Sequence, residues 1–130
     1  MRPEELMEYA KKAMENAYAP YSDFRVGAAL LCEDGTVYTG CNVENAAYSP
    51  TLCAERVAVG KAVSEGKREF AALAVCGGKG GVLTDVCTPC GVCRQVLAEF
   101  CRKTMPVYVT DGKTVTAYTL EELLPMGFSL

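Results

Sequence analysis

The sequence contains no histidine. That absence removes every Ser-His and Cys-His nucleophile and every imidazole-ligated metal site at once, so any chemistry here is run by carboxylates and thiolates. The chain is also short of positive charge. Its 13 lysines and arginines stand against 16 aspartates and glutamates, for a net charge of −3. A protein whose main partner is a phosphate backbone usually carries a basic face, so nucleic acid is disfavoured as a partner. No apolar run approaches the roughly 20 residues needed to span a bilayer. The opening Met1-Arg2-Pro3-Glu4-Glu5 lacks the hydrophobic segment of a signal peptide, and a cytoplasmic protein with no membrane partner is expected. No internal repeat, linker or low-complexity tract interrupts the 130 residues, a length that suits one domain, 1–130, with a core of its own.

Cysteine, by contrast, is plentiful. Eight in 130 residues would suit a disulfide scaffold in a small secreted protein. The missing secretory segment, the 50% hydrophobic composition and the metal-ligand spacing of three of the cysteines oppose that reading. Cys32, Cys41 and Cys76 fall in apolar stretches and Cys101 in a helical pattern, where a free cysteine behaves as a small hydrophobe.

Pro3 to Tyr18 carries helical periodicity, with Leu6, Ala10, Ala13, Met14 and Ala17 along one face and Pro3 suited to a first turn. Arg25 to Glu33 reads as a buried strand, Asp34-Gly35 as a hairpin turn and Thr36 to Cys41 as the partner strand. Asn42 to Pro50 is loop-like. Thr51 to Glu65 is helical and stops at Gly66. The near-continuous apolar run Phe70 to Cys76 predicts a central strand, and the glycine-rich Gly77 to Thr88 a flexible connection. Cys90 to Arg102 follows as a helix, then strands at Pro106 to Thr110 and Val115 to Tyr118. Thr119 and Glu122 make a capping box for a last helix. Helices between strands require crossovers, so the pattern predicts an α/β fold: a three-layer α/β/α sandwich with a mixed sheet of about five strands.

The chemistry concentrates in Cys53-Ala54-Glu55-Arg56 and Pro89-Cys90-Gly91-Val92-Cys93. Zinc takes four tetrahedral ligands, and a site with three protein ligands keeps the fourth position for water. Cys90 and Cys93 are three apart and share a helix face, and Cys53 closes the triangle from elsewhere. Cys53 and Cys90 each stand in the opening turn of a helical pattern, where a helix N-terminus favours a thiolate. Cys-x-Glu followed by Pro-Cys-x-x-Cys is the signature of zinc nucleobase deaminases in their three-cysteine form. Glu55 is then the proton carrier. It takes a proton from a metal-activated water, delivers it to a ring nitrogen, and later protonates a leaving amine. Residues two apart do not share a face of a regular helix, so this reading requires Cys53 to sit at an irregular first turn. Three thiolates on Zn²⁺ leave a net charge of −1. Arg56, three residues after Cys53, can hydrogen-bond ligand sulfurs and withdraw part of it.

Taken alone, Cys90 and Cys93 are equally compatible with a structural zinc site or a redox pair. With Cys87 they form C-x₂-C-x₂-C, part of an iron–sulfur run, although no fourth cysteine lies close by. Against these stands the glutamate two residues after Cys53.

The chain resembles the small homotetrameric, three-cysteine class of the cytidine deaminase family over essentially its whole length. The stretches that carry the resemblance are Phe24-Arg25-Val26-Gly27-Ala28, Gly40-Cys41-Asn42-Val43-Glu44-Asn45-Ala46, the two cysteine motifs with Arg94-Gln95, and Leu123-Leu124-Pro125-Met126-Gly127-Phe128. The resemblance implies hydrolysis of cytidine and deoxycytidine to uridine and deoxyuridine with release of ammonia, a reaction of pyrimidine salvage. It implies one zinc per subunit on Cys53, Cys90 and Cys93, and Glu55 as proton shuttle. Asn42 and Glu44 match the pair that holds the ribose 3′-hydroxyl, Phe24 an aromatic packing on the base, and the backbone at Ala54 a contact to its polar edge. Phe128 matches a terminal aromatic that enters a neighbouring subunit's site, Tyr48 a loop residue near that junction, and Gln95 a residue supporting the cysteines. Thr88 stands where a serine is common, and the loop from Gly77 to Val86 is long and glycine-rich for the family. A deaminase of a nucleoside antibiotic such as blasticidin S shares the cysteine motifs; Asn42, Glu44 and Phe128 favour the simple nucleoside.

Overall fold

In the computed structural model, which describes residues 1–130, the elements follow in the order α1 (Pro3–Met14), β1 (Phe24–Cys32), β2 (Val37–Cys41), α2 (Ala54–Ser64), β3 (Phe70–Lys79), α3 (Gly91–Phe100), β4 (Pro106–Thr110), β5 (Val115–Thr119) and α4 (Leu120–Leu123). The strands form one mixed sheet in the order β2-β1-β3-β4-β5, with β3 in the middle. β3 runs antiparallel to β1 and parallel to β4, and the two outer pairs are antiparallel hairpins. This is the expected fold class.

The apolar run of β3 buries both of its faces, as a central strand covered by helices on either side must. Ala72, Ala74 and Cys76 meet Leu6, Met7, Ala10 and Met14 of α1. Leu73 and Val75 meet the opposite core, which takes in Ala58, Val59 and Ala62 of α2, Leu97 of α3 and Leu120 of α4. Two glycines let the helices approach the sheet closely. A Cβ at Gly27 would lie 2.0 Å from the Ala10 carbonyl oxygen, and one at Gly40 would lie 2.4 Å from that of Ala54. Gly40 thereby seats the first turn of α2 directly on β2.

Several boundaries differ from the sequence pattern, each for a tertiary reason. α1 ends at Met14 rather than Tyr18, because Tyr18 leaves the helix to bridge Val43. Its N–H donates to Asn42 O at 2.9 Å, and its carbonyl accepts from Glu44 N at 2.8 Å. α2 begins at Ala54 rather than Thr51 because Leu52 bridges the other side of Val43. β3 continues three residues past Cys76, pairing Gly77 with Val26 and Lys79 with Phe24. The stretch expected as a flexible connection from Gly77 is thus partly strand. A Cβ at Gly78 would lie 1.9 Å from the Val82 carbonyl oxygen, so glycine serves there to let the chain fold back on itself. α4 is a single turn, closed by the capping box between Thr119 and Glu122. No helix is long and apolar enough to cross a membrane.

Candidate metal centre and substrate pocket

Cys53 is the N-cap of α2 and Cys90 the N-cap of α3. Neither side chain caps its helix, so both thiols are free to point across the gap between the two N-termini. The sulfurs of Cys53, Cys90 and Cys93 lie within 4.8 Å of one another, with Cys53 and Cys90 3.8 Å apart. Tetrahedral thiolates at about 2.3 Å from a shared zinc stand about 3.8 Å apart. The donor set is soft, the spacing matches, and unsatisfied N–H groups of two helix ends favour the anionic form of the ligands. The trio is able to hold a zinc ion. Cys87 stands outside it, in the wall of the pocket.

Electrostatics separate the thiols. Hydrogen bonding to Cys93, then to the Arg56 guanidinium, holds Cys53 down at about 5. Cys93 is shifted upward in turn, because its proton serves the Cys53 thiolate and because it is buried. Burial pushes Cys87 up to about 12. Arg56 donates through Nη2 to Cys53 Sγ at 3.7 Å and to Thr51 O at 3.0 Å, the contact its spacing predicts.

Cys53 has extended backbone angles, φ −75° and ψ 152°. The irregular first turn that lets residues 53 and 55 face one site is therefore present. Glu55 is 4% exposed, and burial pushes its carboxyl up to about 7. Glu55, Cys53, Cys90, Ala54, Cys87 and Asn42 line one concavity, and Tyr21, Ser22, Glu44, Asn45 and Tyr48 line a second; Thr51 borders both.

Asn42 is 8% exposed and straps β1: its Oδ1 accepts from Val26 N at 2.9 Å, and its Nδ2 donates to Phe24 O at 2.8 Å. One N–H and one lone-pair position remain for a ligand. Glu44 accepts from the backbone N–H groups of Tyr21 and Ser22 at 3.0 and 3.2 Å, and from the Ser22 hydroxyl. These bonds hold its carboxyl below the usual range, the Ser22 hydroxyl contributing most. Phe24 is 41% exposed and lines neither concavity. Tyr48 and Phe128 are 76% and 68% exposed. The Gln95 amide donates to Phe128 O at 2.9 Å, so the structure gives Gln95 to the C-terminal tail and not to a ligand sulfur. Arg94 does the bracing that the sequence reading missed. Its guanidinium donates to Pro89 O and Leu123 O, both at 2.7 Å, and to Thr88 Oγ1 at 3.2 Å. That clamps the start of α3, and with it Cys90 and Cys93, against α4. The signal available in the sequence was its place next to Cys93.

The fold and site define a class: a mixed-sheet domain with three thiols able to hold zinc beside a buried carboxylate. Residues 1–109 match the family model described as the cytidine and deoxycytidylate deaminase zinc-binding region. The chain is 56% identical over 130 residues to a cytidine deaminase of Sporosarcina psychrophila, covering 99% of this chain and 93% of that one. It is similar to the crystal structure of a cytidine deaminase from Burkholderia pseudomallei, with a TM-score of 0.91 and 46% identity over 98% of this chain and 100% of that one. A blasticidin-S deaminase of Bacillus cereus is more distant, 29% identical over 129 residues, covering 95% of this chain and 91% of that one. The chain belongs to the cytidine deaminase family.

Proposed function

We propose that this protein hydrolyses cytidine and deoxycytidine to uridine and deoxyuridine, releasing ammonia, as a step of pyrimidine salvage. The observation that carries the reading is the thiol trio with Glu55 buried beside two of its members, Cys53 and Cys90, in one pocket wall. Zinc, when bound, supplies a Lewis acid that makes water a nucleophile near neutral pH. Everything else falls to side chains. A carboxyl at about 7 can both accept and return a proton at working pH. Glu55 removes a proton from the attacking water and places it on the base nitrogen beside the amino-bearing carbon. It then takes the second proton from the oxygen now bonded to that carbon and passes it to the departing amine as the C–N bond breaks, so that water and cytidine leave as uridine and ammonia. The backbone at Ala54 meets the polar edge of the base, Phe24 packs on the ring, and Glu44 with the spare valences of Asn42 takes the 3′-hydroxyl. Arg56 withdraws charge from Cys53, and Gln95 supports the tail that carries Phe128.

The working form we infer is a homotetramer of single-domain subunits, in which Phe128 enters a neighbour's site and Tyr48 borders the junction. Exposed large apolar side chains at Tyr48, Met126 and Phe128 support it, since such surface marks contact sites. Eight unpaired thiols support a reducing, cytoplasmic setting.

The test follows conversion of cytidine to uridine by absorbance, with zinc quantified, for the native protein and Glu55→Ala. We expect about one zinc per chain in both, and a loss of turnover of about 10³-fold in the variant. A native protein that holds its zinc yet leaves cytidine and deoxycytidine untouched would sink the assignment and bring blasticidin-type substrates forward.

A further inference from the structure

The carboxylate proposed to take the sugar hydroxyl does not stand free. Three donors reach Glu44, all from one turn: Tyr21 N and Ser22 N on Oε1, and the Ser22 hydroxyl on Oε2. Ser22 Oγ also accepts from Phe24 N at 2.9 Å. The direction of this relay is fixed by chemistry. A backbone N–H only donates and an ionised carboxylate only accepts, so the serine proton lies on the Glu44 side. Hydrogen bonding lowers the Glu44 carboxyl, consistent with the ionised form. A carboxylate has about four lone-pair sites; three donors leave one, and that one can accept from a sugar hydroxyl.

We infer that Ser22 is a positioning residue for nucleoside recognition, its hydroxyl tying the Glu44 carboxylate to the backbone of Phe24 so that sugar and base are gripped in fixed register. This rests on the reading of Glu44 as the acceptor for the 3′-hydroxyl. The turn has independent anchors. Asp23 N donates to Ala19 O at 3.0 Å, Gly80 N donates to Asp23 O at 2.7 Å, and Asn42 holds the Phe24 carbonyl. Removing the hydroxyl therefore leaves the frame standing and frees only the carboxylate.

The experiment measures kcat and KM on cytidine and on 3′-deoxycytidine, which lacks only the proposed partner of Glu44, for the native enzyme, Ser22→Ala, Ser22→Thr and Glu44→Ala. Zinc content and melting temperature are recorded for each. A hydrogen bond to a charged group is worth about one tenfold step in affinity. Ser22→Ala should raise KM for cytidine about tenfold, with kcat within about twofold, because the interaction holds substrate and transition state alike. On 3′-deoxycytidine the same variant should behave like the native enzyme, and Ser22→Thr should restore the cytidine KM. Equal losses on both substrates, or no loss on cytidine, overturn the inference about Ser22 while Glu44→Ala still discriminates between them. If Glu44→Ala also treats the two substrates alike, the reading of Glu44 falls and takes the inference with it.

Discussion

The end of the pocket that carries the thiols is built from two helix N-termini and backed by the buried Ala54 and Glu55, whereas the end that presents Glu44 and Tyr48 is built from turns and stands open. At the first end each functional side chain is fixed by regular structure. Cys53 and Cys90 are N-caps, Cys93 follows on the inner face of α3, and Arg94 clamps the start of that helix to Leu123. At the second end position is fixed by hydrogen bonds between loops, with Glu44 held by Tyr21 and Ser22. The difference suits the two tasks proposed for these ends. Proton transfer and metal ligation tolerate little displacement, while sugar binding in an open site must let the nucleoside in and out.

The comparison predicts that damage at the thiol end costs chemistry and metal, and damage at the sugar end costs affinity. The largest effect should come from Cys93→Ala. Cys93 is fully buried, and without it a three-ligand site becomes a two-ligand site. Zinc content should fall from about one per chain to near zero, turnover should vanish, and the stabilisation that bound metal gives the folded state should be lost with it. Metal analysis and thermal melts before and after chelation read this directly. A variant that kept zinc and activity would show that another ligand takes its place. Arg56→Ala comes next. Its guanidinium reaches Cys53 Sγ at 3.7 Å, and loss of such a partner typically costs 10- to 100-fold in metal affinity or activity, roughly. A variant with native zinc affinity and native kcat would remove Arg56 from the site's electrostatics.

The same contrast explains what could be read from the sequence. The thiol end was legible because its residues are close in sequence within two motifs, and because a helix N-terminus converts local spacing into geometry. Placing Cys53 at the first turn of α2 was enough to bring Glu55 to the site. The element order was legible from periodicity, and the capping box at Thr119 from two residues three apart. The sugar end was not, since Ser22 and Glu44 meet across 22 positions and nothing local marks the pair. Tyr18 continued the helical pattern of α1 but is drawn off by Val43, a partner 25 residues away. Gly77 and Gly78 resembled a flexible connection, yet they complete β3 because space, not freedom, is what glycine supplies there. Gln95 adjoins the cysteine motif, but the amide serves the tail.

A finer test splits the two residues proposed to share the sugar. Asn42 and Glu44 should separate when stability and kinetics are measured together. Asn42→Ala strips two hydrogen bonds from a part-buried stretch of β1, leaving Val26 N and Phe24 O unpaired. The expected cost is about 2 kcal/mol, seen as a lower denaturant midpoint at unchanged m, together with a raised KM. Glu44→Ala removes the acceptor of three hydrogen bonds, but their donors lie on a turn that water can reach, so it should raise KM with a smaller stability loss of about 1 kcal/mol. Equal stability losses would mean that both residues hold the fold and that the sugar end is less open than its structure implies.

The smallest perturbation is chemical rather than genetic, and it compares the thiols with one another. A thiol reacts through its thiolate, so a lowered folded-state value makes a cysteine reactive in mild acid, and a raised one leaves it inert until the pH approaches that value. After chelation of the folded protein, Cys53 at about 5 is largely thiolate at about pH 6.5. Cys76 at about 11, and Cys87 and Cys101 at about 12, remain protonated there by orders of magnitude. Alkylation followed by peptide mapping should find Cys53 modified first, and the other three only as the pH climbs above about 10 or the chain unfolds. Restoring zinc before alkylation should protect Cys53, because a ligated sulfur has given its lone pair to the metal. If Cys87 or Cys101 were modified in the folded protein as fast as Cys53, burial would not be what silences them. If Cys53 stayed inert after chelation, the helix end, Arg56 and Cys93 would not be supplying the thiolate on which the whole thiol end depends.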